Sequence, residues 1–484
     1  MKKIILLLFL VLCLSGCNTV VSTNTNTEDV NAYSLSFSET DNDSTYSVND
    51  STYIELGSED VKITKGGTYI LQGTLENASV IVNVSKTEDV KLVLNGVTIN
   101  SDDFAAIYIA EGDEITITLN DGTVNTLSDS GTYTQIDDND VDAIIYSKAD
   151  LAINGNGTLN INTNNHGIVY KDDLIITSGT YNITAAGQGL KGKDCLKISD
   201  GTFNINSGKD ALKSDNDTDE YRGYVYISGG TFNINSQADG IYGLNLVTID
   251  GGDFNIVTNT SNNADSYKGI KSSKEIVING GNFVIDAADD AMHSDGSITI
   301  NDGTLNIESD DDAIHAETLL TINNGSIDIN SYEGLEATYI QINDGTINVY
   351  GSDDGVNAAQ KSNEYTATFE MNGGYLNVSV GQGDTDAIDS NGYIYVNGGT
   401  IEITAQSPFD YDINAEYNGG TIIVNGVETN QITNQMMGGM HGGMFNNNGG
   451  QMPGDNQSSD FANTPMGPQS GSQGNNFGYG GPRR

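Results

Sequence analysis

The sequence predicts an all-β fold, a right-handed parallel β-helix of about 22 residues per coil with three short strands in each. Three observations carry this. One pattern returns about a dozen times between residues 142 and 430. It runs acid, small residue, aliphatic; then a short aliphatic strand; then a Gly-Gly-Thr turn; then an alternating strand. The Thr of the turn, or its replacement, stands at Thr158, Thr180, Thr202, Thr231, Asp253, Asn282, Thr304, Ser326, Thr346, Tyr375, Thr400 and Thr421. The commonest step is 22 residues, with steps of 25 and 29 where loops are inserted. Apolar and polar residues alternate within each unit, as in Leu196 and Ile198, then Phe203 and Ile205, which sends one set of side chains into a core. Asn-Gly and Gly-Gly corners supply the positive φ of tight bends.

Residues 1–16 read as an export signal: Lys2 and Lys3, then an apolar run too short to span a membrane as a mature helix. Leu14-Ser15-Gly16-Cys17 resembles a bacterial lipobox. That implies cleavage before Cys17 and a diacylglycerol on its sulfur, hence an exported lipoprotein anchored at the bacterial cell surface. Residues 17–51, rich in Ser, Thr, Asn and Asp, read as a flexible spacer. Residues 52–141 alternate without the clean repeat, as capping coils at a solenoid end do. Residues 142–430 are the regular coils. Residues 431–484 turn to Met, Gly, Asn and Gln and read as a disordered tail. Met436, Met437, Met440, His441 and Met444 are soft-metal ligand types, with low complexity the simpler account. Cys195 has no cysteine partner in the mature chain and reads as incidental.

The chain has 484 residues, 66 acids against 20 bases, and a formal charge of −46. This excludes the basic footprint that nucleic acid requires and describes an acidic surface that attracts cations. Arginine is confined to Arg222, Arg483 and Arg484, so bidentate capture of carboxylates or phosphates is not the main binding mode.

Stacking turns single residues into columns. Ahead of the small-aliphatic pair the column runs Asp142, His166, Gln188, Asp210, Asp239, Lys268, Asp290, Asp312, Glu333, Asp354, Asp386, with a second acid before it at Asp289, Asp311 and Asp353. Carboxylates one rung apart, about 4.8 Å, repel by about 3–4 kcal/mol at an effective dielectric of 20. Protonation relieves this, and so does a divalent cation. Ca²⁺ takes oxygens at about 2.3–2.6 Å and can bridge neighbouring rungs. Hydrogen bonds from corner backbone N–H groups are the plain alternative. The candidate Ca²⁺ ligands are Asp210, Asp239, Asp289, Asp290, Asp311, Asp312 and Asp354. The insertion carrying Asp215, Asp217 and Asp219 adds a second candidate by its i, i+2, i+4 spacing, although it lacks the rest of an EF-hand loop; a solvated acidic loop is the equal alternative.

Three places after the acid lies a second column: Val169, Lys191, Lys213, Tyr242, Lys271, His293, His315, Glu336, Asn357, Asp389. Lys191, Lys213, Lys271, Tyr242, His293 and His315 are the candidate substrate contacts. A Lys here can grip a uronate, act as a base beside one, or simply neutralise the acid column. Paired acids with a His, at Asp289-Asp290 with His293 and Asp311-Asp312 with His315, suit glycoside hydrolysis. The pairs recur as repeat elements and adjacent strand residues face opposite ways, so no catalytic residue is assigned and binding is the leading expectation. The outward Asn column (Asn160, Asn182, Asn204, Asn233) is expected to be a ladder, and the ring column Tyr181, Phe203, Phe232, Phe254, Phe283 is expected in the core.

The stretches Gly189-Leu190-Lys191-Gly192-Lys193-Asp194, Asp210-Ala211-Leu212-Lys213-Ser214-Asp215-Asn216-Asp217, Gly223-Tyr224-Val225-Tyr226-Ile227-Ser228-Gly229-Gly230-Thr231 and Asp239-Gly240-Ile241, with Val93-Leu94-Asn95-Gly96-Val97 upstream, resemble the bacterial parallel β-helix carbohydrate-binding family. That family comprises cellulose and acidic-sugar binders related in shape to pectate lyases. The resemblance covers about residues 53–425. It implies Ca²⁺ binding and affinity for polygalacturonate-like or cellulosic polysaccharide. Lys268 departs from the acid column and interrupts a continuous ion row. A uronate lyase or hydrolase on the same scaffold, or an adhesin stiffened by Ca²⁺, are the alternative functions.

Overall fold

The computed structural model describes residues 32–260, 266–383 and 385–434. The expected export signal and lipidation site at Cys17, the first part of the expected spacer and the expected tail from residue 435 on lie outside the described residues.

A coil is seen whole in Leu190–Gly192, Cys195–Ile198 and Thr202–Ser207. Each of its strands pairs in parallel with its equivalent one coil on: Leu212–Ser214, Tyr224–Ile227 and Thr231–Ser236. The same relation repeats through the regular coils, giving three parallel sheets that meet at the corners. Gly230, at φ +115°, shows why the corner before the third strand takes glycine. Its backbone leads directly into the ladder bond from Thr231 N–H to the Gly201 carbonyl, 2.8 Å.

Two fused strands, Ile314–Ile322 and Leu335–Ile342, run through the corner between the first and second sheets. The expected capping coils are built from longer strands still, Gly67–Glu76 and Val90–Ser101, which bend at a register shift beside Leu71. At the other end Thr421–Val424 turns back on Val427–Thr429 as an antiparallel hairpin through Asn425 and Gly426, both at positive φ.

The interior is the expected one. Tyr181, Phe203, Phe232, Phe254 and Phe283 stack with ring centroids 4.7–4.9 Å apart and planes within 5°. Coil spacing imposes that separation. Asn160, Asn182, Asn204 and Asn233 form an amide ladder at 2.8–2.9 Å on the outside of the same sheet. A longer ladder closes the corner after the second sheet, from Asp250 through Asn279, Asn301, Asn323, Asn343, Asn372 and Asn397 to Asn418.

One expectation is corrected. The part of the spacer that the structure describes is not free. Residues 33–46 lie along the outside of the coils. Lys197 Nζ donates to the Ser36 carbonyl at 2.8 Å, Asn154 Nδ2 to that of Asp41 at 3.0 Å, and Lys91 Nζ to that of Asp43 at 2.8 Å. Tyr33 and Phe37 pack on Tyr224 and Tyr226. Cys195, which points outward from the second sheet, is fully buried in that cluster. Strand alternation places such residues on the outside; the strap converts the outside into a second small core.

The ring stack generates a prediction. Phe232→Ala should destabilise the folded state by about 3–5 kcal/mol, whereas Asn233→Ala should cost only about 1 kcal/mol. Denaturant midpoints measure both, and equal shifts would mean that the stack is not the main source of cohesion.

Candidate functional site

The two columns expected from the repeat are present in the expected register. Lys191, Lys213, Tyr242, Lys271, His293, His315, Glu336, Asn357 and Asp389 follow one another along the first sheet. The acid column sits at the corner just before these strands, and its carboxylates are divided between two tasks.

One oxygen accepts a backbone N–H from the equivalent residue of the next coil. Asp239 N donates to Asp210 Oδ1 at 3.2 Å, Lys268 N to Asp239 Oδ1 at 2.9 Å, Asp312 N to Asp290 Oδ1 at 3.2 Å, and Asp386 N to Asp354 Oδ1 at 2.7 Å. His166 plays the same part through Nδ1, 2.8 Å from Gln188 N. The other oxygen meets the base three residues on: Lys213 at 2.8 Å from Asp210, His293 at 2.6 Å from Asp290, His315 at 2.9 Å from Asp312. Lys268 reaches both Asp290, 2.7 Å, and Asp289, 3.0 Å. A lysine thus serves the place where an ion row was expected to break. Burial opposes ionisation of Asp290, but His293 and Lys268 outweigh it and hold this carboxyl down at about 2.

Lys213, Tyr242 and Lys271 are brought together. The two ammoniums lie over the Tyr242 ring, 4.9 and 5.5 Å from its centroid. Lys271 also donates to Ser266 at 3.0 Å and stands 3.9 Å from Asp239. Lys191 pairs with Asp215 at 2.6 Å. The insertion therefore contributes Asp215 to the lysine row. Asp217 and Asp219 are not gathered with it: Asn216 Oδ1 organises the loop by accepting from Thr218 and Asp219 N–H, and Asp219 accepts from Tyr221 N–H. Three carboxylate oxygens of this loop do not come within 4.8 Å of one another.

Beyond the lysine row the bases thin out. His315 Nδ1 faces Asp312 at 2.9 Å, Glu336 at 3.2 Å and Asp290 at 3.7 Å, and His315 is 8% exposed. It is turned into the acids rather than toward a ligand. Burial pushes the Asp312 carboxyl up to about 7, with the Asp290 charge adding to it. Burial does the same to Glu336, also about 7, although Lys361 lies 2.8 Å away. In the next coils Asp354 and Asp389 have no base three places on or before; burial with the charge of Asp386 raises Asp354 to about 7, and burial with the charges of Asp386 and Asp410 raises Asp389 to about 7. Asp289, Asp290 and Asp311 bring oxygens within 4.8 Å of one another. A separate group, Asp172, Asp173 and Asp194, does so at the corner leading into the second sheet, with Arg222 3.5 Å from Asp173. Glu336 and Asp389 were visible in the second column but carried no site assignment. Lys361 comes from an insertion with no repeat to place it.

A family model described as carbohydrate-binding domain-containing protein matches residues 57–313 and 294–387. A curated relative of that description from Acetivibrio thermocellus is 38% identical over 184 residues, 36% of this chain. The chain spans 63% of that relative's length. A solved structure of a polysaccharide lyase-like protein from C. thermocellum, a gadolinium derivative, is 32% identical with a TM-score of 0.41, covering 52% of this chain and 97% of that one.

The distal acids generate a pH prediction. The carboxyls of Asp354 and Asp389 titrate near 7 in the fold and near about 3.9 in an unfolded chain. The native state therefore binds more protons between these values. Its stability is greatest below the lower one and is lost as pH rises through the upper one. In EDTA, Tm should fall between pH 5 and 8. Asp389→Asn should raise Tm at pH 8 and flatten the slope. Calorimetry that finds a flat profile for the unmodified protein contradicts the assignment.

Proposed function

The chain belongs to the carbohydrate-binding domain-containing protein family, and on that premise we propose that it binds acidic polysaccharide of the polygalacturonate type along its first sheet, with Ca²⁺ held by the acid column. The carrying observation is the row Lys191, Lys213, Tyr242, Lys271, one residue per coil. In a chain of formal charge −46, half of the 20 basic residues fall between Lys171 and Lys274. Repulsion of a polyanionic glycan is weaker here, where bases are concentrated, than along the base-poor remainder of the chain. Tyr242 holds the two ammoniums against its ring between neighbouring coils.

Ca²⁺ answers two needs of this reading. It neutralises the acid coils beyond the lysine row, and as a hard ion with six to eight oxygen ligands it can share a coordination shell between protein and uronate carboxylates. Asp354, Asp386, Asp389 and Asp410 are the residues that would hold it, two at a time across neighbouring coils, since no three of their carboxylates bring oxygens within 4.8 Å of one another. Their all-oxygen chemistry fits, and Asp410 Oδ1 is buried without a hydrogen-bond partner. Asp289 with Asp311 is a second place, in competition with Lys268.

Binding rather than cleavage is favoured by Lys213. Burial works against its charge, but the hydrogen bond and charge of Asp210 prevail and raise its pKa, so it stays an ammonium and a poor base. From Leu14-Ser15-Gly16-Cys17 the protein is proposed to be exported and held at the cell surface through a lipid on Cys17. Membrane fractionation of a Cys17→Ser variant tests this: release into the medium is expected, and unchanged membrane retention contradicts it.

Affinity electrophoresis on polygalacturonate tests the glycan. Retardation in Ca²⁺ and its loss in EDTA are expected. Lys213→Ala and Tyr242→Ala should each weaken binding by about 1–2 kcal/mol, roughly five- to thirtyfold in Kd. Equal mobility under all conditions would sink the proposal, and retardation on cellulosic gels alone would replace the acidic glycan with a neutral one.

A further inference from the structure

His315 differs from its neighbour one coil back. His293 is fully engaged, with Nδ1 2.6 Å from Asp290 and Nε2 3.1 Å from Asp295. An imidazolium between two carboxylates satisfies every group there. At His315 one ring nitrogen, Nδ1, faces three carboxylates at 2.9, 3.2 and 3.7 Å. It carries at most one proton, so it cannot serve all three. Nε2 is buried and lacks a hydrogen-bond partner, with Glu317 Oε1 3.6 Å away. With the proton on Nδ1, Nε2 is left bare. With the proton on Nε2, the Nδ1 lone pair confronts three carboxyl groups, and only a proton or a metal ion held among them relieves that contact. Neither tautomer is content without a cation.

We propose that His315 Nδ1, Asp312 Oδ2 and Glu336 Oε2 form a site for one divalent transition-metal ion of the zinc class, with Asp290 adjoining it. Tetrahedral bonds of about 2.0–2.2 Å place ligand atoms about 3.3–3.6 Å apart, and the separations from Nδ1 scatter around that spacing. The groups are preorganised by burial: Asp290, Asp312, His315 and Glu336 are 2–8% exposed. Lys361 holds the other oxygen of Glu336 at 2.8 Å, which leaves Oε2 for the ion. With metal on Nδ1 the remaining ring proton sits on Nε2, where a small movement of Glu317 completes a metal–histidine–carboxylate arrangement. The imidazole donor and the short spacings select against Ca²⁺, which takes more oxygens at longer distance. This site is independent of the glycan reading and of the oxygen-only coils beyond it.

The test is titration of the full-length, EDTA-treated protein with Co²⁺ in millimolar Ca²⁺, followed by visible absorption. One tight equivalent with the bands of a four-coordinate nitrogen–oxygen site is expected, displaced by Zn²⁺ and not by Ca²⁺. His315→Gln should weaken this equivalent by about tenfold or more, while His293→Gln should keep it. Weak sites elsewhere, His441 included, persist in both variants and so subtract out. Circular dichroism monitors folding, and Glu336→Gln gives the same reading should His315→Gln fail to fold. An unchanged titration in the folded His315→Gln or Glu336→Gln protein, no tight equivalent in the unmodified chain, or displacement by Ca²⁺ overturns the proposal.

Discussion

The acid column depends on how each corner carboxylate divides its two oxygens. One oxygen accepts the N–H of the equivalent residue in the next coil, as at Asp210, Asp239, Asp290 and Asp354. The other faces the position three residues on. The first bond belongs to the backbone and repeats with the fold. The second depends on which side chain the sequence supplies, and this varies along the chain. Where stacked bases accompany the stacked acids the charge is balanced, and where they do not the carboxyls are pushed toward the neutral form.

That dependence divides the helix into a lysine region, a histidine region and an acid region. Around Lys213 and Lys271 the column is neutralised and a ring lies between the ammoniums. At His293 and His315 the base becomes a titratable imidazole, and the two successive histidines have opposite surroundings. One is saturated by two carboxylates and the other is crowded by three. Beyond them Asn357 and Asp389 replace the base, and the carboxyls of Asp354 and Asp389 rise to about 7. On the proposed reading, a cation has most to neutralise there. A single scaffold thus presents three chemistries in sequence order without any change of fold.

Much of this was legible from the residues. The 22-residue step depends on coil length alone, and a parallel ladder converts it directly into register. The lysine column, the ring stack at Tyr181 to Phe283 and the first Asn ladder follow from it. What was not legible lies where the repeat is silent. The strap from Tyr33 to Tyr46 has no period, and its docking rests on scattered bonds to Lys197, Asn154 and Lys91. Cys195 looked incidental because alternation points it outward, and only the strap buries it. The second amide ladder, Asp250 to Asn418, was hidden because Asn at a corner also signals a turn. Lys361 and the part played by Asp215 come from insertions, where a residue's neighbours are set by loop path rather than by spacing. The division of each carboxylate between backbone and base needed atomic positions, since both partners were only alternatives in the sequence.

The central claim is that cation demand follows the loss of the base three residues after the acid. Hydrogen exchange read coil by coil, with and without Ca²⁺ at pH 8, tests it most directly. The account predicts that Ca²⁺ adds protection mainly in segments spanning residues 333–412, with little gain in coils from Gln188 to His293. Protection gained equally in all coils, or confined to the lysine coils, would contradict it.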